Sequence, residues 1–245
     1  MKTTAAAVLS LASAALAAEQ IVGGQEGRIE DFPYQIALIA NGRFICGGSI
    51  IGEQYVVTAA HCTDGSSASE LQIRAGSNSA SSGGSLIDVA EINQNPAYDA
   101  ASTDNDISVL TLAENLVFGA GIGAVDLASS DPSAGTIVTT SGWGALSEGG
   151  DVSSTLQYVD IPVVGRSQCA SAYSGFNDIT EAMICAGEEE GGEDACQGDS
   201  GGPLVSGNTL VGVVSWGNGC ARQGYPGVYS SVAYLRDFVS QVTGL

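Results

Sequence analysis

The chain has 245 residues, enough to bury a substantial core as one large domain or two small ones. Seven basic residues stand against 27 acidic ones, a net charge of −20, which excludes nucleic-acid binding because that needs a basic footprint. Charged residues make up only 14% and glycines number 34, a composition of loop-rich β structure rather than of a helical bundle.

At the N-terminus, Lys2 precedes an apolar run from Ala5 to Leu16, and Ala15-Leu16-Ala17 has the small-x-small form of a signal-peptidase site. Residues 1–17 therefore read as a signal peptide. The run is too short to span a bilayer and no later stretch is apolar enough, so no membrane association is expected. Six cysteines in an exported chain imply disulfides, with the pairing left open, and an extracellular location. Beyond residue 20, short apolar segments alternate with Gly, Ser, Asn and Asp clusters. Pro33 to Ala40, Tyr55 to Ala60, Thr136 to Gly142, Leu210 to Trp216 and Gly227 to Val232 have strand length and turn residues at their borders. The stretch from Glu114 to Pro132 carries fewer strand signals and reads as a crossing between two β halves. In Val232 to Val242, Val232, Leu235, Phe238, Val239 and Val242 fall near a helical period, which predicts an amphipathic C-terminal helix. Many short strands and one late helix point to antiparallel barrels or a sandwich.

The chain has one histidine, His61, so any His-dependent mechanism must use it. Ser200 lies in Gly198-Asp199-Ser200-Gly201-Gly202-Pro203, flanked by glycine that lets a substrate approach closely. Asp106, in Asp104-Asn105-Asp106-Ile107, can hold an imidazole in one tautomer and stabilise its cation. Gly198 to Gly202 also matches G-x-S-x-G, the nucleophile elbow of α/β-hydrolases. That fold needs serine before histidine, and here the histidine comes first. An Asp31, His61, Ser200 order of the subtilisin kind conflicts with the all-β pattern. The order His61, Asp106, Ser200 remains. A metal site on the cysteines has no C-x-x-C pair to support it.

Ile21-Val22-Gly23-Gly24, Thr58-Ala59-Ala60-His61-Cys62, Asp104 to Ile107, Gly198 to Pro203 and Ser215-Trp216-Gly217 together resemble the chymotrypsin/trypsin family, in its motif order, from Ile21 to the end of the chain. The resemblance implies an all-β fold of two six-stranded antiparallel β-barrels with a C-terminal helix and a cleft between the barrels. It implies a secreted serine endopeptidase acting through an acyl-enzyme, with His61, Asp106 and Ser200 as catalytic triad and the N–H groups of Gly198 and Ser200 as oxyanion hole. Ser215, Trp216 and Gly217 would pair with the substrate backbone as an added strand, and Ser215 would also bond Asp106. Implied disulfides join Cys46 to Cys62, Cys169 to Cys185 and Cys196 to Cys220. Asp194 would form the floor of the first substrate pocket, with Gly217 and Gly227 as walls without side chains. A buried carboxylate there selects a cationic side chain, and Ala195, where many relatives carry serine, favours arginine over lysine.

In such families a new N-terminal ammonium pairs with an acid beside the nucleophile, here Ile21 with Asp199. The peptidase domain would then be 21–245, preceded by a propeptide at 18–20. Gln20 at the junction is no site for a trypsin-like enzyme, so the precursor is not expected to activate itself. The non-basic junction and the few disulfides resemble microbial relatives, fungal ones among them. The loop from Arg74 to Ser85 contains no Asp or Glu, so no calcium site and no metal or other cofactor are expected. Expected partners are polypeptide substrates and protein protease inhibitors, with the chain a monomer. An inert binding homologue would have lost one of His61, Asp106, Ser200 or Gly198, and a chymotrypsin- or elastase-like pocket would lack Asp194.

Overall fold

The structure, a computed structural model, describes residues 21–245, so the leader and propeptide expected over 1–20 lie outside the described residues. In chain order the elements are β1 (Gln25–Glu26), β2 (Gln35–Ala40), β3 (Arg43–Gly52), β4 (Tyr55–Thr58), β5 (Leu71–Ala75), β6 (Ser85–Gln94), β7 (Ser108–Leu112), β8 (Asp126–Leu127) and β9 (Ile137–Gly142). There follow β10 (Gln157–Val164), α1 (Arg166–Ala172), β11 (Met183–Ala186), β12 (Pro203–Ser206), β13 (Thr209–Trp216), β14 (Gly227–Ser231) and α2 (Val232–Thr243).

Strands β2, β3, β4, β7, β6 and β5 close in that order into one antiparallel barrel. Strands β9, β10, β11, β14, β13 and β12 close into a second. The short strands β1 and β8 join its sheet as additions on β10 and β13. Closing each sheet on itself leaves few free strand edges to pair with other chains. The first barrel is filled by Ile36, Leu38, Ile50, Ile73 and Leu110, the second by Val138, Ile161, Leu204, Val211 and Tyr229. In β5 the alternation is plain, with Leu71, Ile73 and Ala75 buried and Gln72 and Arg74 facing out.

The expected strands and crossing lie within or near these elements. The chain passes between barrels from β7 to β9 with only β8 on the way. Helix α2 starts where the Ser231 hydroxyl caps Tyr234 N, ends at Gly244 in the left-handed region, and buries Val232, Leu235 and Val239. Strand β6 escapes sequence reading because most of its residues are exposed or half-buried, which leaves no clean alternation. Helix α1 is short and buries only Cys169, so it has no apolar stripe to read.

Polar bonds close the seam between the barrels. Ser141 Oγ donates to Gln35 Oε1 at 2.7 Å, Trp143 Nε1 to Asn78 O at 2.8 Å, and Gly47 N to Ser200 O at 2.7 Å. The approach is close enough to require glycine. Gly201 has φ +77, and a methyl there would collide with Thr58 Oγ1 and lie 2.7 Å from Gly47 O. Gly201→Ala should therefore cost about 1–3 kcal/mol and lower the thermal midpoint by about 3–10 °C in calorimetry. An unchanged midpoint would mean the seam is looser than described.

Candidate active site

His61 sits on the 3-10 turn Ala60–Cys62 at the end of β4, and the Cys46–Cys62 disulfide ties that turn back to β3. Asp106 stands just before β7, with no exposure to solvent. Its Oδ1 accepts the His61 backbone N–H at 2.8 Å, and its Oδ2 lies 2.7 Å from the ring Nδ1. Ser215 Oγ donates to the same Oδ2 at 2.6 Å. A carboxylate accepts only, so the ring hydrogen belongs on Nδ1 and the lone pair is on Nε2. That is the tautomer a general base needs.

The second barrel brings Ser200 to this site. Its carbonyl accepts from Gly47 N of β3, and Gly201 N donates to Val214 O at 2.8 Å, so the Ser200 backbone is pinned between the barrels. Gly201 is packed so tightly that a Cβ would lie 3.1 Å from Ala59 N, two residues before His61. Ser200 Oγ and His61 Nε2 form no hydrogen bond in this structure, where Nε2 lies 3.6 Å from Cys62 Sγ; a serine–imidazole contact commonly closes up only when substrate is bound. Around Ser200 the N–H groups of Asp199, Gly201 and Gly202 are bonded internally. Among the described residues those of Gly198 and Ser200 find no internal acceptor, which leaves two backbone donors free beside Ser200. Gly198 has φ +100, and a Cβ would meet Gly144 Cα and Val152 Cγ1 at 3.1 Å, so glycine is required there.

From Ser200 a pocket runs inward between Ala195 and the strand Ser215, Trp216 and Gly217, reaching Asp194 and Gly227 at its base. Asp194 is only 5% exposed; Oδ2 accepts Ala221 N at 3.0 Å and Oδ1 has no partner. Burial pushes this carboxyl up to about 7, against the Ala221 N–H, which lowers it. Gly227 faces it: a Cβ there would lie 2.7 Å from Oδ1. The Tyr229 hydroxyl, also buried and unpartnered, is a further polar group at this base. Among the described residues the arginine–carboxylate pairs are Arg28–Asp31, Arg166–Asp131 and Arg222–Glu148, and none neutralises Asp194. The Cys196–Cys220 disulfide joins two residues of the pocket wall.

Asp199 is wholly buried beside Ser200, where Oδ1 accepts Gly144 N at 2.7 Å and Oδ2 accepts Cys196 N at 3.0 Å. Burial pushes its carboxyl up to about 6, partly offset by those two N–H groups. Ile21 is fully buried in the second core, and Val22 O accepts Asp194 N at 3.2 Å, so the Ile21 segment touches the pocket base directly.

Several supporting residues carry no local sequence signal. Ser230 Oγ donates to Asp106 O at 2.7 Å, and Tyr173 donates its hydroxyl to Pro226 O beside the pocket. Each is a single residue brought in by tertiary contact. In the loop after β5, the Arg74 guanidinium donates to Ala80 O and Gly83 O, so a built-in cation gathers the carbonyls there. Cys46, His61 and Cys62 cluster closely enough for a metal, but both sulfurs are committed to a disulfide.

A model of the trypsin family matches residues 21–239. Over 229 residues the chain is 46% identical to trypsin 5G1 of Aedes aegypti, covering 92% of this chain and 86% of that protein. Over 222 residues it is 50% identical to trypsin delta of Drosophila erecta, covering 90% and 87%. To trypsin alpha of Drosophila melanogaster it is 50% identical over 222 residues, covering 90% and 86%. These relatives come from insects and lend no support to a microbial source.

The half-satisfied Asp194 generates a stability test. Its native value near 7 lies above the unfolded value of about 3.9, so the native state holds more protons between them and stability falls as pH rises. In a Ser200→Ala background, which prevents self-digestion, Asp194→Asn should flatten that dependence and raise the thermal midpoint more at pH ~8 than at pH ~5. Parallel pH curves for the two proteins would refute the assignment.

Proposed function

The chain belongs to the trypsin family and is a trypsin-like serine endopeptidase, and on that premise we propose that His61, Asp106 and Ser200 form its triad and that it cuts after arginine, less readily after lysine. The observation that carries this reading is the unpaired Asp194 Oδ1 at the base of a pocket that opens at Ser200. Leaving it unmatched is costly, and a substrate guanidinium relieves that cost with two parallel N–H bonds. A lysine ammonium is shorter and more strongly hydrated, and Ala195 offers it no hydroxyl.

With the cation seated, the next carbonyl carbon stands at Ser200. His61 Nε2 takes the proton from Oγ as the Oγ–C bond forms, and the carbonyl oxygen becomes an oxyanion held by the Gly198 and Ser200 N–H groups. One such donor is typically worth about 3–4 kcal/mol of barrier. Asp106 keeps the ring oriented and balances its positive charge. As the C–N bond breaks, Nε2–H passes its proton to the departing amine, leaving an acyl-enzyme. Water enters by the same route: His61 takes its proton, the acid is released and Oγ is reprotonated. The Ser215 to Gly217 strand supports the substrate backbone, and protein inhibitors would occupy the same cleft.

We further propose residues 1–17 as a leader, 18–20 as a propeptide and 21–245 as the peptidase domain of a secreted monomer without nucleic-acid or membrane partners. Its three disulfides suit an oxidising extracellular setting. In the uncut chain residue 21 carries an amide, and Asp199 has only two N–H partners. Cleavage before Ile21 would create the ammonium that neutralises Asp199 and sets the oxyanion loop. Because Gln20 precedes that bond, another protease must make the cut.

The reading is tested by a cleavage-site profile on a mixed peptide library, with enzyme whose N-terminus is confirmed as Ile21. Cuts should follow arginine, with lysine turned over more slowly; equal turnover of matched substrates would refute the Ala195 argument. Ser200→Ala should lower kcat by about 10⁶, and Asp194→Ser should lower kcat/KM on arginine substrates by about 10⁴. Purified precursor incubated alone should stay inactive, and efficient release of Ile21 in that sample would refute the activation scheme.

A further inference from the structure

We propose that Thr180 and Asn177, both from the second barrel, are positioning residues that latch the Asp106 loop across the cleft and hold Thr103 in a strained backbone conformation. The inference rests on the triad reading above.

The loop between β6 and β7 ends at Asp106, and two of its residues lie in the left-handed region: Thr103 and Asn105, each with φ 55. Asparagine tolerates that region, whereas a β-branched threonine is a true outlier that persists only where its surroundings over-determine it. Beyond the loop's own bonds, Asp99 N to Asp104 O and Ser102 Oγ to Asp99 Oδ2, both neighbours of Thr103 are held from outside the loop. Asn177 Nδ2 donates to Ser102 O at 2.8 Å, and Thr180 Oγ1 donates to Asp104 Oδ1 at 2.6 Å.

Both donors are themselves oriented. Asp178 N donates to Asn177 Oδ1 at 3.1 Å, which turns the amide nitrogen toward Ser102. Ala182 N donates to Thr180 Oγ1 at 3.2 Å, which directs the hydroxyl hydrogen toward Asp104. The segment that carries them lies between the two halves of the Cys169–Cys185 disulfide, which closes it into a loop. Asp104 Oδ2 in turn accepts from Asn105 Nδ2 at 3.0 Å, which passes the restraint to the residue before Asp106.

With the latch cut, Thr103 can relax to negative φ, and the peptides between it and Asp106 rotate with it. The carboxylate then loses its alignment with His61 Nδ1. Thr180 and Asn177 do not line the Asp194 pocket, so the loss falls on turnover more than on substrate binding.

The test uses enzyme with Ile21 as N-terminus, an arginine peptide amide as substrate, and active sites counted with a serine-directed organophosphate. Thr180→Val keeps the shape without the hydroxyl and should lower kcat per titrated site about tenfold, with KM changed less than about twofold. Thr180→Ser keeps the hydroxyl and should recover most of the loss. Thr103→Gly combined with Thr180→Val should recover it as well, because glycine adopts that φ without strain. Asn177→Ala, which removes the other half of the latch, should show the same lowered kcat and guards against a folding defect in Thr180→Val. Wild-type kcat in both Thr180→Val and Asn177→Ala overturns the proposal, as does a loss carried by KM or one that Thr103→Gly leaves in place. Wild-type enzyme no more active than Ser200→Ala would instead sink the triad reading, and the latch with it.

Discussion

A carboxylate removed from water must find hydrogen-bond donors, and for Asp106 they come from both barrels. His61 supplies its backbone and ring N–H from the first barrel, and Ser215 supplies a hydroxyl from the second. Ser230, also from the second barrel, bonds the Asp106 backbone carbonyl. Neither barrel alone satisfies this residue. The side chain that meets the His61 ring within the first barrel therefore also anchors the seam to the second. Removing a single partner of such a buried group typically costs more than the partner contributed, because the remaining charge stays buried.

Three buried carboxylates lie within one region and differ in how far they are satisfied. Asp106 is fully bonded and serves geometry. Asp199 has two backbone N–H partners and no cation, which leaves it a potential seat for a new positive charge. Asp194 has one partner and a free oxygen, so its unmet demand is directed into the pocket. The same burial that pushes the Asp194 and Asp199 carboxyls up makes each selective for a positively charged neighbour. Buried polar groups left unmatched cost stability, a common compromise at functional sites. The Val22–Asp194 backbone bond joins the Ile21 segment to the pocket base, so these form one contiguous unit.

Glycine makes these close approaches feasible. At Gly198 and Gly201 the backbone adopts positive φ with neighbours where a side chain would stand, so the Ser200 loop can press against the first barrel. The abundance of glycine was visible in the composition, and the G-x-S-x-G match identified the loop, but periodicity alone could not distinguish a hydrolase elbow from a two-barrel cleft. Chain order decided it, because the only histidine precedes the serine. The strands that could be read were those bounded by turn residues, whereas β6, largely exposed, and α1, with one buried residue, offered no pattern. The expectation of a microbial source rested on the junction and the disulfide count, features that vary with secretion and activation and do not record descent.

The sequence by itself determined the order of His61, Asp106 and Ser200, the acidic identity of residue 194 and the absence of carboxylates in the loop after β5, because these are matters of residue identity at short motifs. Only the tertiary structure decided which oxygen of Asp194 stays unpaired, that Ser230 and the Thr180–Asp104 bond buttress the Asp106 loop, and that Arg74 gathers the carbonyls of its own loop. Those facts depend on donors and acceptors far apart in the chain, up to 124 residues for Ser230 and Asp106, meeting at distances and angles that no local pattern encodes.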